Sequence, residues 1–116
     1  MPHDVPPEMP RQVLLVSCTH PEDGVEALAE ALVEARLVAC AQVTRGLQSV
    51  YRWQGKIESA AEARVDLKTT ADRLTALMEA ITRLHPYDVP EIVAMPIMSG
   101  SAAYLDWVRD QTTASG

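Results

Sequence analysis

Apolar residues along this chain change from a continuous run to helical spacing, which predicts a strand followed by a helix. Val13–Val16 is a short apolar run, as expected of a strand that is covered on both faces, or on one face and by a subunit contact. Residues 25–33 then place Val, Leu and Ala side chains three and four positions apart, the spacing of a helix with one buried face. Pro21–Asp23 has the proline and acidic residues that favour a helix start. The first helix is therefore predicted between residue 21 and about Arg36.

The middle of the chain predicts a long hairpin. Residues 38–43 and 47–53 have strand-like patterns, and Arg45–Gly46 between them is typical of a bulge or bend. Gln54–Gly55 can turn the chain tightly because glycine accepts a positive φ. Residues 56–69 would form the returning strand, in which apolar and charged side chains alternate with a period of two.

The last third predicts a second helix, a strand and a closing helix. Thr70 can cap the second helix, and His85–Pro86 would end it. Glu91–Met98 is predicted as the last core strand, and Ala102–Gln111 as the closing helix. The apolar residues expected to face inward are Leu74, Leu77, Met78, Ile81 and Leu84 in the second helix, and Tyr104, Leu105, Trp107 and Val108 in the closing helix.

The order β-α-β-β-α-β followed by a short C-terminal helix predicts an α+β fold, the ferredoxin-like split βαβ sandwich with a long hairpin between its second and third strands. Residues 12–112 are predicted to form a single domain. Residues 1–11 contain four prolines, which cannot propagate a helix or a ladder, so they are predicted to be a disordered tail. Residues 113–116 are a second tail.

Charge and composition narrow the classes of function. The formal net charge of −6 over 116 residues disfavours nucleic acid as a partner. The start of the chain has no signal-peptide pattern and no apolar run reaches the length of a membrane span, so we expect a cytoplasmic protein without a membrane partner. Its two cysteines are then expected to be reduced. The sequence shows no catalytic constellation or phosphate loop, so we do not expect an enzyme.

Two motifs carry the chemistry of the chain. They are Tyr51–Glu58, which reads Tyr-Arg-Trp-Gln-Gly-Lys-Ile-Glu, and His85–Glu91, which reads His-Pro-Tyr-Asp-Val-Pro-Glu. In this order of elements, residues 12–110 resemble the CutA family of divalent-cation tolerance proteins. The resemblance implies a homotrimer in which strands pair between subunits. Such assembly would also cover the edges of the predicted hairpin.

The resemblance further implies copper ligands at two places. One is a cysteine at the end of the first strand, which Cys18 matches. The other is a pair of consecutive histidines before Pro-Tyr, of which His85 matches the second while Leu84 replaces the first. Thiolate and imidazole are the ligands that copper and zinc select, and a thiolate favours Cu(I) in particular.

His20 is a third candidate ligand that could compensate for Leu84. It is separated from Cys18 by one residue, so both side chains would lie on the same side of an extended backbone. Each histidine also has a structural alternative, namely an exposed helix cap for His20 and a hydrogen bond at a helix end for His85. For Cys18 the alternative is a small buried apolar group, which is also the prediction for Cys40.

The remaining motif residues could line a polar pocket or a subunit interface. Four aromatic side chains would supply apolar walls, and three charged ones could fix a ligand or a neighbouring subunit. The structural role is favoured for Tyr51, Trp53 and Trp107. The seven residues are Tyr51, Trp53, Glu58, Lys68, Tyr87, Glu91 and Trp107.

The predicted function is a trimeric cytoplasmic protein that binds a divalent or soft cation, copper first and zinc as an alternative, in metal tolerance or homeostasis. Two other classes stay open. One is a PII-like trimeric signalling module that binds a small ligand between its subunits, and the other is a stable trimeric scaffold.

Overall fold

Strand β1, Val13–His20, lies inside a four-stranded antiparallel sheet of the computed structural model, which describes residues 9–113. The strands follow the order β2-β3-β1-β4, so β1 pairs with β3 on one side and with β4 on the other. This order and the two helical crossovers confirm the predicted ferredoxin-like fold. The other elements are α1 at Val25–Glu34, β2 at Cys40–Trp53, β3 at Lys56–Thr70, α2 at Leu74–Leu84, β4 at Ile92–Pro96 and α3 at Ala102–Gln111.

The main core lies between one face of the sheet and the helices α1 and α2. Alternate residues of β1 enter it, because successive side chains of a strand point to opposite faces. The closing helix α3 packs on a smaller cluster with Val13, Ala39 and Val108. The main core contains Leu14, Val16 and Cys18 of β1, Val65 and Leu67 of β3, Val25, Leu28 and Leu32 of α1, and Leu74, Leu77, Ala80 and Ile81 of α2.

The first helix begins later than predicted. Strand β1 continues to His20, and α1 starts at Val25 after Gly24, whose φ is +86°. His20 is not the cap, because it is a residue of the strand. Glu22 is instead drawn toward the hairpin, where its Oε2 accepts the N–H of Gly46 at 2.9 Å. Tertiary contact, not the local helix signal, therefore decides this boundary.

Helix α2 also departs from the predicted pattern at both ends. Thr70 precedes a 3₁₀ turn at Ala71–Arg73, so the α-helix itself starts only at Leu74. Leu84 was predicted to face inward, but it is 46% exposed. The helix ends at this residue, and the next residue, His85, takes the buried position instead.

The hairpin has the predicted turn and bulge. Gln54 and Gly55 have φ values of +52° and +80°, as a tight hairpin turn requires, and the β2–β3 register shifts between Thr44 and Leu47. The last pair of β1 with β3 joins His20 to Ala63. Residues 47–62, which we call the distal hairpin, therefore extend beyond the end of β1.

The closing helix contains two buried or half-buried apolar residues, not four. Val108 is buried and Leu105 is half-buried, as predicted, whereas Tyr104 and Trp107 are exposed. Within residues 9–113, no helix is long and apolar enough to cross a membrane.

Arg11, near the start of the described residues, is bound both to the 3₁₀ turn before α2 and to α3. Arg11 forms an ion pair with Asp72 at 2.9 Å, and the Nε of Arg109 donates to the Arg11 carbonyl at 3.0 Å. Residues 1–8 of the predicted disordered tail lie outside the described residues. Residues 9–11 of that tail form a turn that is bound to the domain. Of the predicted tail at 113–116, only Thr113 lies within the described residues.

Candidate metal centre

Two histidine rings meet where the distal hairpin leaves the sheet. His20 is the last residue of β1, and His85 directly follows α2. Their ring centroids lie 4.8 Å apart with an interplanar angle of 65°, and both side chains are buried. The fold therefore brings together two of the three predicted ligands, which are 65 positions apart in the sequence. The exposed cap considered for His20 is wrong.

The hydrogen bonds of the two rings differ in a way that fixes their neutral tautomers. His20 Nδ1 lies 2.6 Å from the carbonyl oxygen of Pro21, so this nitrogen carries the proton and Nε2 keeps a lone pair. His85 Nε2 donates to the Thr19 carbonyl at 2.6 Å, and its Nδ1 accepts the N–H of Tyr87 at 3.1 Å. Both nitrogens of His85 are therefore in use. The sequence predicted a hydrogen bond from His85 at the end of the helix, and the structure shows that this bond goes to Thr19 of strand β1.

Cys18 lies on the same side of β1 as His20, as the spacing predicted, but its side chain belongs to the main core. Burial, with smaller contributions from the carboxylates of Glu91 and Asp66, raises the pKa of the thiol from 9.0 to about 11. A thiol in this environment stays protonated at neutral pH. A cation would have to displace this proton before the sulfur could bind it.

These side chains do not form a ready-made metal site in one chain. Among residues 9–113, no group of three or more His, Cys, Asp or Glu side chains is arranged to hold a metal ion. Cys18 and His85 would each have to give up their present environment in order to bind a cation. Ligation of a cation by Cys18, His20 and His85 stays a prediction. Of the four ring nitrogens of the two histidines, Nε2 of His20 is the one that takes no part in these hydrogen bonds.

A buried carboxylate next to the histidines was missed by sequence reasoning. Glu62 accepts the hydroxyl of Ser49 at 2.6 Å and the hydroxyl of Tyr87 at 2.9 Å. The His85 and Tyr87 rings are also in contact, with centroids 4.8 Å apart. Partial burial and the bond to Glu62 raise the pKa of Tyr87 above 10.0. Glu62 follows the same alternation as Arg64, so its spacing gives no sign of burial.

The seven residues predicted to line a pocket or an interface have different surroundings in one chain, and their shared role stays a prediction. Tyr87 alone is tied to the histidine pair, and Tyr51 and Trp53 are exposed on the distal hairpin. Lys68 donates to Gln42 on the neighbouring strand at 2.7 Å. The other members are Glu58, which is exposed and paired with Tyr51 in the register, Glu91, which is exposed just before β4, and Trp107, which stacks on Tyr104 at 5.6 Å.

Cys40 is not the buried apolar group that was predicted. It is half-buried at the start of β2, and its sulfur lies 3.4 Å from the hydroxyl of Tyr104. This contact, together with partial burial, raises the pKa of Tyr104 to about 12. The difference arises because α3 presents Tyr104 to the strand without covering the thiol completely.

Comparisons with known proteins place this geometry in one family. The family model described as CutA1 divalent ion tolerance protein matches residues 13–111. The Divalent-cation tolerance protein CutA of Thermus thermophilus is 47% identical over 91 residues, which cover 78% of this chain and 88% of that protein. The chloroplastic protein CutA of Arabidopsis thaliana is 38% identical over 90% of this chain, which spans 57% of that relative's length.

Solved structures agree with this comparison. The Thermus thermophilus divalent cation tolerance protein superposes with a TM-score of 0.85 at 45% identity, covering 87% of this chain and 99% of that chain. CutA from Xylella fastidiosa gives a TM-score of 0.86 at 36% identity, covering 88% and 99% respectively. The periplasmic CutA from Archaeoglobus fulgidus gives 0.84 at 29% identity, with 87% of this chain and 99% of that chain covered.

Proposed function

Because this chain belongs to the CutA1 divalent ion tolerance protein family, we propose that it takes part in divalent-cation tolerance by binding copper, with zinc as the second candidate. One observation carries the proposal, namely the imidazole of His20. Its Nδ1–H is held by the Pro21 carbonyl, which leaves the Nε2 lone pair for a cation. Imidazole nitrogen suits both copper and zinc. The proposed role is binding, not catalysis.

The same proposal includes assembly into a homotrimer. Strands β2 and β3 of the distal hairpin carry exposed apolar side chains, including Trp53 at 60% and Ile57 at 64% exposure. A long apolar hairpin of this kind is an aggregation hazard unless another chain covers it. A second copy is the partner that we propose, and the number of three subunits comes from the family resemblance. Three copies would also bring several His20 side chains into one assembly, which matters because residues 9–113 of one chain contain no complete set of ligands.

Calorimetric titration of the full chain with Cu²⁺, Zn²⁺ and ATP, combined with light scattering, tests the proposal. We expect saturable copper binding and a mass of three chains. His20→Gln should weaken copper binding at least about tenfold, because an amide is a poor replacement for an imidazole ligand. His3→Gln is the matched control. Binding of ATP without copper would favour the signalling module, and a trimer that binds neither would favour the scaffold.

We also propose a cytoplasmic location. Cys18 and Cys40 are both free in the structure, which suits a reducing compartment. Relatives named chloroplastic and periplasmic show that location varies among similar proteins. Cell fractionation of the native organism with an antibody to the full chain would test this, and a periplasmic signal would contradict it.

A further inference from the structure

His85 lies at the point where the β1–β4 ladder stops. The register of this pair runs from Leu14 to Cys18, which faces Ile92, the first residue of β4. The next residue of β1, Thr19, has no partner in β4, and its carbonyl accepts the Nε2–H of His85 at 2.6 Å. The side chain thus supplies the hydrogen bond that another strand residue would have made. Without it a buried carbonyl would lose its donor.

The other nitrogen of His85 holds the chain that follows α2. Nδ1 accepts the N–H of Tyr87 at 3.1 Å, which folds residues 85–87 into a turn. The hydroxyl of Tyr87 then donates to the buried carboxylate of Glu62 at 2.9 Å, and Ser49 donates to the other oxygen of Glu62 at 2.6 Å. One unbroken series of hydrogen bonds therefore joins β1, the segment after α2 and both strands of the distal hairpin.

We propose that His85 is a positioning residue that holds residues 85–87, after α2, against β1, and that it is not a cation ligand in this chain. We call its two hydrogen bonds, to Thr19 and to Tyr87, the clasp. The cation-binding part of this statement rests on the proposed function, whereas the clasp itself does not. A ligand needs a free lone pair, and His85 has none, because one nitrogen carries a proton held by Thr19 and the other accepts from Tyr87. To bind at Nδ1, a cation would have to displace the N–H of Tyr87; to bind at Nε2, it would also have to break the buried hydrogen bond to the Thr19 carbonyl.

His20, whose ring contacts that of His85, has only one of its two ring nitrogens in a hydrogen bond. His20 uses only Nδ1, as a donor to the Pro21 carbonyl. The two rings share one environment at 4.8 Å, so their difference comes from their hydrogen bonds and not from their depth. His20 therefore serves as the internal control for every measurement on His85.

Nitrogen NMR of the ¹⁵N-labelled full chain tests the assignment without any mutation. We expect the Nε2–H tautomer at His85 and the Nδ1–H tautomer at His20. Titration with the diamagnetic ion Zn²⁺ should shift His20 Nε2 and leave both nitrogens of His85 in place. A zinc-induced shift of a His85 nitrogen would overturn the proposal. If zinc shifts neither ring, the proposed function fails, while the His85 tautomer still decides whether the clasp exists.

Two amide substitutions separate the halves of the clasp. His85→Gln keeps a donor near the position of Nε2, and His85→Asn keeps an acceptor near the position of Nδ1. Hydrogen exchange of the Tyr87 amide should stay slow in the Asn variant and rise at least about fivefold in the Gln variant. Copper affinity should stay within about twofold of the parent in the Asn variant.

A strong loss of copper affinity in a folded Asn variant whose Tyr87 amide remains protected would show that His85 is a ligand, which would contradict the proposal. Glu62→Gln provides the second line of evidence, because it changes the far end of the series and leaves His85 intact. Exchange at Tyr87 should be faster in this variant, with the zinc shift of His20 retained. Unchanged exchange would mean that the series does not act as one unit.

Discussion

The two halves of the β2–β3 hairpin share one ladder but lie in different environments. The proximal half, residues 40–44 with 64–68, belongs to the four-stranded sheet, and Val65 and Leu67 are fully buried there. The distal hairpin has lost β1 as a neighbour, and Val50, Trp53 and Ile57 are each at least 60% exposed. The core of one chain therefore explains the proximal half only. The apolar side chains of the distal half can be buried only by contacts outside that core.

Leu77→Ala should have the largest effect on the free energy of unfolding. Leu77 is completely buried in α2, so its truncation leaves a cavity under the proximal sheet and costs about 2–5 kcal/mol. Urea denaturation followed by circular dichroism measures this loss. Ile57→Ala on the distal hairpin is the control, with an expected change within about 0.5 kcal/mol for a single chain. Similar losses for both variants would remove the contrast between the two halves.

Trp53→Ala should act on assembly and leave the fold of one chain intact. The indole is 60% exposed at the end of β2, and large aromatic residues at subunit contacts often contribute about 2 kcal/mol or more to association. Light scattering over a dilution series should show dissociation at a higher concentration than in the parent. A parent chain that is already monomeric would refute the trimer, and with it this role of Trp53.

Tyr87→Phe tests the contact between the distal hairpin and the segment after α2. The substitution removes one of the two hydroxyl donors of buried Glu62, and we expect a loss of about 1–3 kcal/mol in the free energy of unfolding. Tyr51→Phe, on an exposed ring of the distal hairpin, should change it by less than about 0.5 kcal/mol. Equal stability of the two variants would mean that the Glu62 bonds do not fasten the distal hairpin.

Cys40→Ser should have the smallest effect on stability, and the two cysteines should differ clearly in reactivity. Cys40→Ser, at a half-buried position, should cost less than about 0.5 kcal/mol. A thiol reagent at neutral pH should modify Cys40 and leave Cys18 intact, because Cys18 is buried and its thiol is protonated. Mass spectrometry of the labelled peptides measures both sites, and rapid labelling of Cys18 in the native protein would contradict the burial.

The pH dependence of Cys18 has a defined sign. Its pKa is raised from 9.0 to about 11 on folding, so the neutral thiol contributes stability that is fully present below pH 9. That contribution is lost as the pH rises from 9.0 through about 11. Urea denaturation should therefore show a steeper alkaline loss of stability in the parent than in Cys18→Ala, and parallel pH profiles would contradict it.

Several elements could be predicted because their signals are local. The turn at Gln54–Gly55 and the bulge at Arg45–Gly46 depend on backbone conformations that glycine allows, so the sequence states them directly. The helix α3 was predicted with its observed bounds. The start of α1 was not, because Glu22 bonds to Gly46 across the fold and a strand register carries β1 on to His20. Local propensity depends on neighbouring residues in the sequence and does not include such contacts.

The candidate site shows the same division. The family resemblance offered Cys18 and His85 as ligands, the spacing from Cys18 added His20, and the fold does bring His20 and His85 together. Burial of Glu62 could not be predicted, because its neighbours in the alternation are charged and its partners, Ser49 and Tyr87, lie 13 and 25 positions away. Only the packed structure shows which groups exchange hydrogen bonds.

By itself the sequence determined the order of strands and helices, the family resemblance and the residue types that could bind a soft cation. Periodicity, turn chemistry and ligand preference are properties of short segments, so they can be derived without coordinates. The tertiary structure alone decided that Leu84 faces outward, that Cys18 lies in the core and that His85 has no free nitrogen while His20 keeps one. These outcomes depend on groups far apart in the chain, whose hydrogen-bonding needs can be met only when the whole domain is packed.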